Sequence, residues 1–121
     1  MKKRTKTTIK KSCDKLWSKI IRSKGHCEIC GTTQNLEAHH IVTRSRIPTR
    51  WDVDNGICLC SKHHKFCTEI SAHGNSIAFA RWFDDKFGPE RFTRIQEKSR
   101  QTTKYTLEDY LEIESQLKGM L

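Results

Sequence analysis

Residues 27–30, CEIC, and residues 60–64, CSKHH, are the two stretches around which the chain is organised. A Cys-x-x-Cys and a Cys-x-x-His each place two metal ligands on one turn of backbone, and Gly31 lets the first turn close. Two such pairs complete a closed tetrahedral site, and structural zinc contributes its binding free energy directly to folding. We therefore predict a structural Zn2+ on Cys27, Cys30, Cys60 and His63.

Two other cysteines compete with His63 for the fourth position on this zinc. Cys58 shares a strand face with Cys60 because alternate residues of a strand point the same way. Cys67 follows His63 by about one helical turn, so the sequence leaves both alternatives open. Cys13 lies on the apolar stripe of a predicted helix, where a cysteine is more often a small core residue than a ligand.

Three histidines remain near the predicted zinc, at positions 39, 40 and 64. Adjacent residues of a strand face opposite ways, so His39 and His40 cannot easily bind one ion as a pair. His64 projects from a predicted helix start in a different direction from His63. A strand histidine and a helix histidine could thus share a second ion with open positions for water and substrate, as in a catalytic metal site.

The order of these motifs resembles that of the HNH nucleases of bacteria and phages, a family with a ββα-metal finger. The resemblance covers about residues 25–70 and rests on Cys-x-x-Cys, Leu36-Glu-Ala-His39-His40-Ile41, Asn55 and Leu59-Cys60-x-x-His63-His64. It implies that His39 and His64 bind the catalytic ion. His40 would then be the general base, and Asn55 would hold the hairpin loop and orient that base. The family commonly has a cysteine where this chain has His63 as its last zinc ligand.

The activity that the resemblance implies is hydrolysis of DNA phosphodiester bonds to 5′-phosphate and 3′-hydroxyl ends. An imidazole with a pKa near neutrality suits the base that activates water. One divalent ion, Mg2+, Mn2+, Ni2+ or Zn2+, would supply positive charge to the phosphate and the departing 3′ oxygen. His73 is a possible third ligand, although a histidine beside a glycine at a helix end is more often a surface residue.

The positive charge is concentrated at the N-terminus. The net charge is +9, and residues 1–24 hold ten Lys or Arg against the single acid Asp14, so the rest of the chain is neutral. A basic arm on a neutral body is typical of nucleic-acid binding, although a solubilising tail would look the same. Three arginines after the histidine doublet are placed to contact phosphates or to lie in a solvated loop: Arg44, Arg46 and Arg50.

A chain of 121 residues is enough for one compact domain and too short for two ordinary ones. We predict a flexible basic arm over residues 1–11 and a single α+β nuclease domain over residues 12–121. Its metal core, a hairpin followed by a helix and stapled by zinc, would span about residues 25–70. Helices would flank this core on its N-terminal side and over about residues 76–118.

The hydrophobic periodicity and the capping residues place these elements. The predicted helices begin at Ser12, Ser61, Ser76, Pro89 and Thr106, and the predicted strands cover residues 36–42 and 57–60. Gly25 ends the first helix, His73-Gly74-Asn75 the second and Gly88-Pro89 the third.

No apolar run approaches the ~20 residues that span a bilayer, and the first residues lack the apolar segment of a signal peptide. We therefore expect no membrane partner and a cytoplasmic protein of a bacterial or phage-infected cell, where cysteines stay reduced. The expected partner is double-stranded DNA, with protein partners if the chain belongs to a larger DNA-processing machine. The main alternative is a zinc-ribbon module that binds nucleic acid without cutting it and leaves the three histidines idle.

Overall fold

A computed structural model describes residues 3–121 as a two-stranded hairpin packed between helices, so the predicted α+β class is confirmed. In chain order the elements are α1 (Lys6–Arg22), β1 (Leu36–His40), α2 (Ile47–Arg50), a 3-10 turn (Val53–Asn55), β2 (Gly56–Cys60), a π-helical turn (Lys62–Phe66), α3 (Ser76–Phe87), α4 (Pro89–Ser99) and α5 (Leu107–Gly119). Within residues 3–121, no helix is long and apolar enough to cross a membrane.

The hairpin separates the molecule into two hydrophobic cores. β1 and β2 are antiparallel, with His39 opposite Ile57 and His40 opposite Gly56. On one face Ile57 packs with α3, and on the other face Cys58 packs with α1 and α5. Since successive strand residues alternate between the faces, the two histidines of the doublet face different cores.

Helix α1 begins at Lys6, six residues before the predicted start at Ser12. Thr5 caps it by accepting a hydrogen bond from the Thr8 amide at 3.2 Å, and Ile9 is only 1% exposed. Ile9 therefore adds one more position to the buried stripe of this helix. The prediction of a flexible arm over residues 1–11 is thus wrong for residues 6–11, and Met1 and Lys2 lie outside the described residues.

The helix predicted from Ser61 is a single π-helical turn, after which the chain folds back on itself. The carbonyls of His63 and His64 accept hydrogen bonds from the amides of Ala72 and His73, both at 2.9 Å. These carbonyls bond the returning segment, so the turn does not continue as a helix. The fold-back places His73 beside His64, which the spacing in the sequence did not predict.

Helices α3, α4 and α5 begin at or next to the predicted positions, but Asn75 caps α3, and Ser76 is its first residue. Thr106 and Asp109 form a reciprocal capping box at the start of α5, and Pro89 occupies the first position of α4. Along α5, the buried carboxylate of Glu114 accepts two hydrogen bonds from Arg4, each 2.8 Å long. This ion pair fixes the residues before α1 to the C-terminal helix.

The Arg4 hydrogen bonds hold the pKa of Glu114 at about 2, below the usual value of 4.5. A carboxyl whose pKa is lower in the folded state stabilises the fold above pH 4.5 and loses that contribution as the pH falls toward 2. We therefore expect Glu114→Gln to have a lower thermal midpoint than the parent protein at pH 6. The gap between the two midpoints should narrow toward pH 3. Glu112→Gln, an exposed control on the same helix, should show no such gap at any pH. A gap for Glu114→Gln that stays constant with pH would contradict this account.

Candidate metal and catalytic site

Four metal-ligand side chains converge where β2 ends: Cys27, Cys30, Cys60 and His63. Their donor atoms lie within 4.8 Å of one another. His63 Nδ1 lies 3.3 Å from the sulfur of Cys60 and 3.9 Å from that of Cys27. The sulfurs of Cys30 and Cys60 are 3.8 Å apart. Zn–S bonds of ~2.3 Å in a tetrahedron separate two sulfurs by about 3.8 Å, so the cluster could hold structural zinc.

The local backbone presets this cluster. Gly31 adopts φ +78°, and the Gly31 amide donates to the Cys27 carbonyl at 2.8 Å to close the first turn. Burial opposes ionisation of Cys27, but backbone amides around the sulfur hold the pKa of this thiol below its usual value, as a zinc ligand requires. Cys58, one of the two alternatives, points into the core instead, where burial raises the pKa of its thiol to about 11. Cys67 lies outside the cluster.

A second cluster consists of three imidazoles, His39, His64 and His73, whose donor nitrogens lie within 4.8 Å of one another. His64 Nε2 is 3.2 Å from His39 Nδ1. Two nitrogens bound at ~2.0–2.1 Å to a tetrahedral metal are separated by about 3.3 Å, which this pair already matches. The ring of His73 lies 4.9 Å from that of His64 and 5.1 Å from that of His39, centre to centre. Three protein ligands that leave positions open are typical of a catalytic metal site.

The imidazoles of His39 and His64 are both neutral at pH 7. Burial, aided by the neighbouring imidazoles, lowers the pKa of His39 to about 3. Burial also lowers the pKa of His64, although the carboxylate of Glu37 partly opposes the shift. The neutral imidazole is the form that binds a metal ion, so the donor set fits a divalent cation.

Glu37 orients His64, a role that the sequence reasoning missed. The carboxylate of Glu37 lies 2.7 Å from Nδ1 of His64 and accepts a hydrogen bond from Ser61 at 3.1 Å. With Nδ1 donating to this carboxylate, Nε2 of His64 is left unprotonated toward His39. A signal was present in the sequence, because Glu37 stands two residues before His39 and so shares its strand face.

His40 lies on the opposite face of β1, against α1. Its ring stacks on Trp17 with the centroids 3.8 Å apart and the planes at 10°. Nε2 lies 2.8 Å from the carbonyl of Arg50, and because a carbonyl can only accept, this nitrogen carries the proton. Nδ1 is then the unprotonated nitrogen; among residues 3–121 it has no hydrogen-bond partner, and it is not buried. Burial lowers the pKa of His40, so the ring is neutral at pH 7 and able to accept a proton.

Asn55 fixes the loop that holds His40 in place. This side chain is fully buried, and its amide nitrogen donates to the carbonyls of Val42 and Thr49, each at 3.0 Å. Its amide oxygen accepts from the Val42 backbone at 2.7 Å. Thr49 directly precedes Arg50, so these bonds position the Arg50 carbonyl that meets the His40 ring.

Of the three loop arginines, Arg50 is committed to another part of the fold. Its guanidinium donates to both carboxylate oxygens of Asp14, at 2.9 and 2.7 Å, and only 13% of the side chain is exposed. The net effect of these bonds is to lower the pKa of Asp14 despite its burial. Arg50 is therefore not available to contact a phosphate. Arg46 is exposed, and so is Arg44, although its guanidinium also lies 3.5 Å from the Asp14 carboxylate.

Comparison with known proteins agrees with this geometry. Residues 27–66, 40 of the 121, match the family model described as HNH endonuclease. The matched segment contains the hairpin, the four residues of the first cluster and two of the three histidines of the second. No curated protein and no solved structure matches the chain. The resemblance to the HNH nucleases is thereby confirmed over this segment.

Proposed function

Because residues 27–66 match the HNH endonuclease model, we propose that the protein is a metal-dependent endonuclease that hydrolyses DNA phosphodiester bonds. One observation carries the proposal. Of two adjacent histidines, His39 joins a cluster of metal-ligand nitrogens, while His40 turns away and keeps a free, unprotonated Nδ1. One residue that binds a metal beside one that can accept a proton is the pair that phosphodiester hydrolysis requires.

In this proposal His39 and His64 would hold the catalytic divalent ion, with His73 as a third ligand. A divalent ion bound there would supply positive charge to the scissile phosphate and the departing 3′ oxygen. Glu37 keeps His64 in the tautomer whose unprotonated Nε2 faces His39, where the ion would bind. The candidates for this ion are Mg2+, Mn2+, Ni2+ and Zn2+, and the one that supports DNA cleavage when it is added to the protein identifies it.

His40 acts as the general base in this mechanism. Its Nδ1 takes a proton from the attacking water, and the Arg50 carbonyl stabilises the resulting imidazolium through Nε2–H. Stacking on Trp17 keeps the ring from rotating away from this position. Asn55 acts through the loop as a positioning residue. Attack of the deprotonated water on phosphorus breaks the bond to the 3′ oxygen, which takes a proton from solvent, and gives a 5′ phosphate and a 3′ hydroxyl.

The first cluster holds zinc in a structural role, since it has four protein ligands and no open position. Reduced thiols on a metal are typical of the cytoplasm, where we place the protein. Protein partners in a larger DNA-processing machine are compatible with this function, and pull-down of the intact chain would identify them.

The proposed function is tested by a plasmid-nicking assay on protein that carries one zinc per chain, with and without an added divalent ion. We expect nicking only when the ion is present, and ligatable ends that carry a 5′ phosphate. Plasmid that is bound but left uncut with every ion would favour the zinc-ribbon binding module instead.

The exposed face of α1 is the proposed contact with the DNA backbone. Lys15 and Lys19 lie four residues apart on this face and are exposed. Substituting these two side chains tests the contact more cleanly than deleting residues 1–11, because the deletion would also remove the buried Ile9. We therefore expect the double variant Lys15→Gln with Lys19→Gln to weaken binding to all sequences alike. The slope of log K against log salt should fall by about 0.9 for each lost phosphate contact.

The matched control for this measurement is Arg100→Gln with Lys104→Gln, which removes two exposed charges far along the chain. Fluorescence anisotropy with one labelled duplex at several salt concentrations gives both slopes. If the α1 variant has the same slope as the parent protein, this face does not contact DNA.

A further inference from the structure

A pocket of about 330 Å3 opens beside the histidine cluster, between the end of β1 and helices α3 and α4. Phe79 and Phe83 form its floor and are 7% and 2% exposed, while Ile41 and Phe92 on the rim are half-buried. His39 forms one wall, with its ring edge-on to Phe79 at 5.6 Å between centroids. The pocket therefore borders directly on the proposed catalytic ion.

The polar groups of the pocket are few, and the exposed Asp84 supplies its only carboxylate. Among residues 3–121, no lysine, arginine or histidine forms an ion pair with Asp84 and no side chain hydrogen-bonds to its carboxylate. Its oxygens are thus available to accept hydrogen bonds from a ligand. Ser76 adds a hydroxyl on the same rim.

The chemistry of this pocket excludes a phosphate and fits a base. An apolar floor offers no donor to a phosphate, and the Asp84 carboxylate repels one. A nucleobase has a flat apolar face that packs on aromatic and aliphatic side chains, and its edge carries hydrogen-bond donors. A base can enter only when it has left the duplex stack or is already unpaired.

We propose that this pocket receives one unpaired nucleobase of the substrate strand next to the phosphate that is cut. Asp84 accepts a hydrogen bond from the exocyclic amino group of cytosine, adenine or guanine. Thymine has no such group and carries the carbonyl oxygen O4 where cytosine has its amino group, so the carboxylate repels it and thymine binds less well. The inference rests on the proposed function, since the substrate strand reaches the pocket only when its phosphate lies at the histidine cluster.

The first test is the base distribution around the cut sites in a pool of random-sequence DNA. We expect the parent protein to cut with a roughly tenfold bias against thymine at one flanking position, the ratio given by one hydrogen bond to a charged group. Asp84→Ala should lose the bias. Asp85→Ala, the exposed neighbour that does not line the pocket, should keep it. An unbiased parent, or the same bias in Asp84→Ala, would overturn the proposal.

A second test does not depend on cutting. The trinucleotides d(TCT) and d(TTT) are titrated into zinc-loaded protein without other divalent ions, and the backbone amide signals of Phe79, Asp84 and Phe92 are followed by NMR. We expect d(TCT) to shift these signals at about tenfold lower concentration than d(TTT), and Asp84→Ala to abolish the difference. If d(TCT) and d(TTT) shift the signals at equal concentrations and the protein cuts DNA, the nucleobase pocket is rejected and the nuclease function is kept. If d(TCT) shifts the signals at a lower concentration than d(TTT) but the protein cuts no DNA, the nuclease function is rejected and the nucleobase pocket is kept.

Discussion

Cys30→Ser should release zinc and unfold the protein. Cys30 is exposed, so the substitution removes little packing and its effect reports the lost ligand. Structural zinc in small modules contributes roughly 10–16 kcal/mol, as much as or more than the ~5–15 kcal/mol that stabilises a typical domain. The loss of one ligand is therefore enough to shift the folding equilibrium toward the unfolded chain.

Elemental analysis and far-UV circular dichroism of the purified variant measure the two parts of this result. We expect one zinc per parent chain, and both less zinc and less helix in Cys30→Ser. Cys67→Ser is the matched control, because Cys67 follows the zinc cluster closely in sequence but lies outside it. If the protein without metal has the same thermal midpoint as the zinc-bound parent protein, the structural-zinc interpretation is wrong.

His40→Ala should cut DNA ~10²–10⁴ times more slowly than the parent protein, which is the usual cost of losing a well-placed general base. The proposed ligand His39 lies on the other face of β1, so the variant should still bind the divalent ion and DNA. Because the His40 ring stacks on Trp17, the alanine variant could lose stability, and His40→Gln serves as a second variant that keeps more of the side-chain volume.

Single-turnover rates on a supercoiled plasmid, with circular dichroism to confirm folding, measure this effect. His26→Ala provides the control, since His26 is an exposed histidine outside both clusters. Cutting at the parent rate by both folded His40 variants would show that another group takes the proton.

The sequence predicted those parts of the site that depend on spacing along the chain. Paired residues three positions apart identify the cluster of Cys27, Cys30, Cys60 and His63, which could hold zinc, and strand alternation separates His39 from His40. The starts of α3, α4 and α5 were also predictable, because capping residues such as Thr106 before α5 act on their own neighbours. These features need no information from distant residues.

The sequence could not predict what depends on contacts between distant residues. Arg50 pairs with Asp14, 36 positions away, so a loop arginine that looked available for phosphate is not. His73 reaches the histidine cluster only because the backbone after His64 folds back and bonds to the π-helical turn. The buried Glu114 looks like any surface glutamate until Arg4 is brought beside it.

The division of roles between the adjacent histidines is the central claim, and calorimetric titration of a divalent ion tests it most directly. Mn2+ is titrated into zinc-loaded His39→Ala and His40→Ala in the same buffer, with His26→Ala as the reference. We predict that His40→Ala binds Mn2+ with the reference affinity and that His39→Ala loses this binding. If His40→Ala loses the ion while His39→Ala keeps it, the assignment of the ligand and the base is wrong.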